Sequence, residues 1–173
     1  MDGSFIKLLG TEDQMVETIL GSPLNMAPEV LDAYVRNVLA STPPEATPLF
    51  AWQGGEPTLM GLPFFEKVVE LQMKHGRPGA VVANSVQTNG VLVDDALAAH
   101  FARYRFLAGC SLDGPADVHD RYRTTAAGGP SHAAAREGIA RLEDAGVDHD
   151  AGHEHEHDAG VEHDAGADHD AGQ

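Results

Sequence analysis

The chain has a single cysteine, Cys110, in 173 residues. That excludes an internal disulfide framework and fits a reducing compartment, so the expected location is the cytoplasm. No run of eighteen or more apolar residues occurs, which excludes a membrane-spanning helix. The start, Met1-Asp2-Gly3-Ser4, lacks the basic and apolar regions of a secretory signal. Basic residues are scarce: eleven Lys and Arg stand against twenty-seven Asp and Glu, for a net charge of −16. The imbalance is uneven. Residues 148–173 hold nine acids and no Lys or Arg, which leaves −7 for the rest. Neither part offers the basic patch that nucleic acid or an anionic membrane requires, so neither is expected as a partner.

What is present reads as alternating helices and strands. Apolar positions Val30, Leu31, Tyr34, Val35, Val38 and Leu39 recur at helical spacing over Pro28–Ala40, and Ser41-Thr-Pro-Pro44 stops that helix. Pro48–Gln53 predicts a short strand, Leu62–His75 an amphipathic helix, Ala80–Gln87 a valine-rich strand and Asp94–Tyr104 a second amphipathic helix. Phe106–Leu112 predicts a third strand and Ser131–Ala145 a further helix, capped by Ser131 and stopped by Gly146. Residues 1–25 carry no clear pattern, although Thr11-Glu-Asp-Gln14 could open a short helix through Leu20. Strands spaced by helices imply right-handed parallel crossovers, hence an α/β fold with helical cover.

From Val147 the composition changes. His-Asp-Ala-Gly repeats at 149–152, 157–160, 163–166 and 169–172, with almost no large apolar residue to bury. Such a segment cannot offset the entropy of ordering, so residues 148–173 are expected to form a disordered tail. Six of the ten histidines lie in it. His153, His155 and His157 alternate with carboxylates, a donor set that takes zinc, nickel or copper loosely.

Three junctions between strand and helix carry polar or glycine-rich text. Gln53-Gly54-Gly55-Glu56-Pro57 combines two residues that bare the backbone with an acceptor suited to an ammonium group. Gly-Gly pairs are also common in plain turns, so spacing alone leaves both readings open. Gln87-Thr-Asn-Gly90 is a turn signal that doubles as a set of small polar groups. Ser111-Leu-Asp-Gly-Pro115, followed by His119-Asp-Arg-Tyr-Arg123, places a hydroxyl and a guanidinium fork where together they could hold a carboxylate. Surface ion pairs among Asp120, Arg121 and Arg123 are the plainer reading. In a strand-then-helix fold all three junctions fall on one sheet edge, where such folds bind ligands. Cys110 sits in an apolar strand, as a buried and inert thiol would.

Taken together and in this order, Phe50-Ala-Trp-Gln-Gly-Gly-Glu-Pro-Thr-Leu-Met-Gly61, Gln87-Thr-Asn-Gly90, Ser111-Leu-Asp-Gly-Pro115 and His119-Asp-Arg-Tyr-Arg123 resemble the radical S-adenosylmethionine (SAM) enzymes that mature sulfatases under anaerobic conditions. The resemblance runs from about Met26 to Val147, roughly seven tenths of the chain. It implies a partial parallel (β/α) barrel of about three βα units, a [4Fe-4S] cluster and SAM. It also implies oxidation of a Cys or Ser of a sulfatase polypeptide to formylglycine by a 5′-deoxyadenosyl radical. By position, Gly54, Gly55, Glu56 and Pro57 match the segment that holds the methionine amino group, and Gln53, also expected at the cofactor, lies beside them. Ser111 and Arg123 match the residues that hold the SAM carboxylate. The family's Cys-x3-Cys-x2-Cys motif would fall upstream of Pro28, yet residues 1–25 contain no cysteine. A lone thiolate cannot carry such a cluster, so the expectation is a radical SAM enzyme-like fragment that is inactive alone. The alternatives are a cluster-less SAM- or peptide-binding domain, and a metal-sequestering protein acting through its His/Asp tail.

Overall fold

The computed structural model describes residues 5–11, 14–20 and 26–151, with side chains from Met26 to Asp148. Six strands form one sheet in sequence order: β1 (Phe5–Thr11), β2 (Gln14–Leu20), β3 (Leu49–Trp52), β4 (Ala83–Thr88), β5 (Leu107–Cys110) and β6 (His149–Ala151). β1 runs antiparallel to β2, and every later neighbour pair is parallel. Helix α1 (Pro28–Ser41) joins β2 to β3, α2 (Gly61–His75) joins β3 to β4, and α3 (Asp95–Arg103) joins β4 to β5. α4 (Ala116–Tyr122) and α5 (His132–Ala145) both precede β6. From β2 onward strands are added always on the same side, each through helix, and so wind as a barrel does rather than reversing at a switch point. The α/β reading and its three central βα units hold.

The strands explain which face carries the core. On β3, β4 and β5 every second residue is buried: Phe50 and Trp52, then Asn84, Val86 and Thr88, then Ala108 and Cys110. These meet Tyr34, Phe64, Phe65, Val68, Phe101, Ile139 and Leu142 from the helices. An aromatic chain threads the layer: Trp52 stacks on Phe50 and meets Phe64 edge-on at 5.4 Å, and Phe65 meets Phe101 edge-on at 5.0 Å. Intervening residues Ala51, Ser85, Gln87 and Gly109 face the other side, which stays partly or fully exposed. Small and polar, this open face corresponds to the inside of a barrel.

One polar trio lies in the core. The Asn84 carbonyl accepts from Trp52 Nε1 at 3.0 Å and Gln72 Nε2 at 2.8 Å, while Asn84 Nδ2 donates to Gln72 Oε1 at 3.0 Å. Asn84→Ala strips partners from the buried Trp52 and Gln72 groups at once. We expect a loss of about 2–4 kcal/mol in urea denaturation, read from the emission of the sole tryptophan, Trp52.

Three expectations change. The helix anticipated from Thr11 to Leu20 is instead the strand β2. Thr and acids imitate a helix start, but parallel pairing of Glu17 with Phe50 and Thr18 with Ala51 outweighs that local signal. Within the segment read as tail from 148 onward, His149–Ala151 add a strand to β5. Residues 152–173, including His153, His155 and His157, lie outside the described residues. Ser131 holds the cap position of α5, yet its side chain makes no capping bond; Asp120 supplies it instead. At the other end Gly146, left-handed at φ 76°, stops α5 as its sequence position suggests. Among the described residues no helix is long and apolar enough to cross a membrane.

Candidate functional site

The carboxyl ends of β3, β4 and β5 bring the three polar junctions to one edge of the sheet. After Trp52 the chain turns through Gly54 at φ 104° and Gly55 at φ 59°. Consecutive left-handed residues are the conformation L side chains resist, so this turn needs both glycines. Pro57 then starts a single 3-10 turn, Pro57–Met60, that leads into α2.

Glu56 ties this junction to the next. Its Oε1 accepts from Thr58 N at 3.0 Å, from the Thr58 hydroxyl and from the Thr88 hydroxyl at 2.7 Å. Its Oε2 accepts from Asn89 N at 2.7 Å. The Thr88 hydroxyl, having donated to Glu56, accepts from Gly90 N at 3.1 Å. The carboxylate expected to meet a ligand ammonium is therefore already a brace between the β3 and β4 junctions. The bare backbone of Gly54 and Gly55 lies directly before it in the chain.

The third junction is joined to the second by Ser111 N, which donates to Thr88 O at 2.9 Å. Gln87 Nε2 reaches Ser111 Oγ at 3.3 Å, its amide lying where Gly109 offers no Cβ. Arg123 is the C-cap of α4 and turns back on the same loop. Its Nε donates to Asp113 Oδ2 at 2.5 Å and its Nη2 to Asp113 Oδ1 at 3.2 Å. Ser111 and Arg123 thus border one loop, but the guanidinium fork holds a carboxylate of the chain itself. The Arg123 hydrogen bonds keep the Asp113 carboxyl below its ordinary range, against a smaller effect of burial.

Behind this loop a buried relay fixes the backbone. His119 Nδ1 accepts from Asp113 N at 3.2 Å, so the ring proton sits on Nε2 and is donated to Ser131 Oγ at 3.0 Å. The Ser131 hydroxyl in turn donates to Arg123 O at 2.8 Å. Asp120 Oδ1 accepts from the N–H groups of both Ser131 and His132, closing the start of α5. The ion pairs anticipated among Asp120, Arg121 and Arg123 give way to this cap and to the Asp113–Arg123 pair. Sequence reading missed Asp113, His119, Asp120 and Ser131 in these roles. No periodicity marks them, since their partners lie six to twelve residues away.

The Asp120 cap carries a pH signature. The His132 N–H, then that of Ser131, lowers its carboxyl below the ordinary value despite partial burial. A depressed carboxylate stabilises above its unfolded value of about 4 and loses that contribution as pH falls through the lower folded value. Asp120→Asn should lower the thermal midpoint by several degrees at pH 7. The gap to the unaltered protein should shrink steadily below about pH 4.

Cys110 lies on the buried face of β5, and burial pushes its thiol up to about 11, with Glu56 adding to the rise. It is a protonated packing group at neutral pH. Among the described residues no three His, Cys, Asp or Glu side chains are placed to hold a metal ion.

No protein-family model matches the chain. A cysteine-type anaerobic sulfatase-maturating enzyme of Clostridium perfringens is 45% identical over 103 residues, which are 60% of this chain and 27% of that protein. A serine-type anaerobic sulfatase-maturating enzyme of Klebsiella aerogenes is 36% identical over 129 residues, 73% of this chain and 32% of that one. The chain therefore spans under a third of the length of these curated relatives. Among solved structures, native anSMEcpe with bound AdoMet and the Cp18Cys peptide aligns with a TM-score of 0.68 at 38% identity. That alignment covers 72% of this chain and 34% of the other.

Proposed function

We propose, for a chain related to the radical SAM enzymes named anaerobic sulfatase-maturating enzymes, that its sheet edge holds the methionine end of SAM. In this reading the bare backbone of Gly54 and Gly55, flanked by Gln53 and Pro57, takes the ammonium group. Ser111 Oγ and the Arg123 fork take the carboxylate, for which a planar pair of N–H donors is well matched. Glu56 braces the first half to the β4 junction, and Ser111 N joins that junction to the second half through Thr88 O. The observation that carries the proposal is this brace: of the four hydrogen bonds Glu56 accepts, two from Thr58 fix its own turn and two, from Thr88 and Asn89, lock the β3 and β4 junctions together beside a stripped Gly-Gly backbone. AdoMet bound in a structure 38% identical to the chain supports the choice of ligand.

The substrate of the related enzymes points to a cysteine- or serine-bearing segment of a sulfatase as the polypeptide partner. A [4Fe-4S] cluster, where bound, supplies the electron that cleaves SAM to a 5′-deoxyadenosyl radical. The residues of this chain do not fit that cluster. Cubane clusters are held by several thiolates, whereas Cys110 is the sole cysteine and is buried and protonated. The function assigned to the chain alone is accordingly SAM binding, without the oxidation to formylglycine.

Isothermal titration of the iron-free full chain with SAM tests the reading. We expect saturable binding, weakened at least tenfold by Gly55→Val, which places a β-branched side chain at a left-handed residue. Absence of binding, or binding indifferent to Gly55→Val, would remove the proposal.

A further inference from the structure

We infer that Asp113 is a built-in competitor for the Arg123 fork, a stand-in carboxylate that SAM must displace in order to bind. The inference rests on the SAM-site reading above and goes beyond it by assigning an affinity-setting role to a residue that touches no ligand in that reading.

Four observations combine. First, Asp113 presents both carboxylate oxygens to Nε and Nη2 of Arg123, the paired arrangement a ligand carboxylate would adopt. Second, among the described residues that carboxylate hydrogen-bonds to Arg123 alone, so releasing Arg123 leaves no second partner to break. Third, the side chains of Arg123 and Asp113 are 41% and 40% exposed. Water can therefore solvate Asp113 once it swings out, and burial does not fix the pair. Fourth, the Asp113 backbone is held independently, through its N–H to the buried ring of His119. Rotation about the side-chain bonds of Asp113 frees the fork without moving the loop that carries Ser111.

A bound carboxylate exchanges for another of equal charge, so the fork keeps its counter-ion throughout. Ligands without a carboxylate gain nothing from displacing Asp113 and meet a fork already neutralised. Asp113 thus lowers the affinity of carboxylate ligands alone, by what releasing it from the fork costs, and leaves the others unaffected.

The test is calorimetry on the iron-free full chain with two probes, SAM and decarboxylated SAM. With Asp113→Asn the fork loses its internal anion but keeps a side chain of the same shape. SAM should bind about two- to fivefold tighter, the range expected from releasing an exposed ion pair. Decarboxylated SAM should bind as it does to the unaltered protein. Arg123→Lys should weaken SAM and abolish the gain in the double variant. The ¹⁵N-labelled Arg123 Nε–H resonance gives a second readout in the unaltered chain, independent of how the variants fold. It should shift on SAM addition and stay in place with decarboxylated SAM.

The outcomes separate the two ideas. If Arg123→Lys weakens SAM while Asp113→Asn leaves it unchanged or weaker, the competitor role is overturned and the site reading stands. If SAM binds but is indifferent to Arg123→Lys, the carboxylate role of Arg123 falls and the competitor falls with it. A stationary Arg123 resonance under saturating SAM overturns the displacement even where a variant has lost its fold.

Discussion

Gly138→Ala should destabilise the protein by about 2–3 kcal/mol, where the same change at an open helix position would stabilise it by about 1 kcal/mol. Gly138 lies on the buried face of α5, against the turn that follows β4. A Cβ there would fall well inside contact distance of the Gly90 carbonyl oxygen, and 3.3 Å from Gly90 Cα. The obstacle is backbone, which cannot rotate aside as a side-chain end would. Gly90 is itself left-handed at φ 76°, and a Cβ on it would meet Ala135 O at 3.1 Å. The helix and the turn approach this closely because both residues lack side chains. Either α5 lifts away, unpacking Ile139 and Leu142, or the Gln87–Gly90 junction moves. Urea denaturation followed by Trp52 emission gives the first effect. Weaker SAM binding in the folded fraction gives the second, because the junction carries Thr88 and Asn89, the partners of Glu56. An unchanged or raised midpoint would show that the approach is less tight than the geometry states.

Glu56→Ala should have the larger effect on ligand binding. It removes both oxygens that tie the β3 junction to Thr88 and Asn89. It also removes the acceptor that caps the 3-10 turn at Thr58. Hydrogen bonds to a charged group contribute more than neutral ones, yet these four share one carboxylate and are not additive. We expect a stability loss of about 2–4 kcal/mol and a fall in SAM affinity of more than tenfold. Glu56→Gln keeps the shape but replaces one acceptor oxygen by an NH2 donor, so it should fall between the two. A cycle with Thr88→Val isolates the cross-junction bond: about 1–2 kcal/mol of coupling is expected if Glu56 acts as the brace. Coupling near zero would mean that the junctions are held by the sheet alone.

Legibility in the sequence followed the length and regularity of each element. Pro28–Ser41 and Gly61–His75 are long enough for an apolar stripe to declare itself, and their bounds came within a residue. β4 begins at Ala83 rather than Ala80, because Ala80 N closes a turn onto Arg77 O before pairing starts. α4 went unread: seven residues after Pro115 give too few turns for a pattern. The Thr11–Leu20 segment misled because a capping Thr and acids are local signals, while the strand is fixed by pairing on both sides, with β1 and with β3 some thirty residues on. The site divides in the same way. Gly54, Gly55, Glu56 and Ser111 were visible as residue types following strands, and Arg123 as a guanidinium in the segment after the third of them. Their partners were not, since nothing in the sequence says that Glu56 is saturated by Thr58, Thr88 and Asn89, or that Arg123 is held by Asp113.

In the proposed reading the chain carries the SAM-binding edge of the maturase fold but not the ligands for its cluster. Anaerobic reconstitution of the full chain with iron and sulfide, counting acid-labile sulfide per chain, tests it most directly. Sulfide is the quantity to count because the tail histidines can hold iron without it. The account predicts essentially no labile sulfide. About four sulfides with four irons per chain, the content of one cubane cluster, would contradict it.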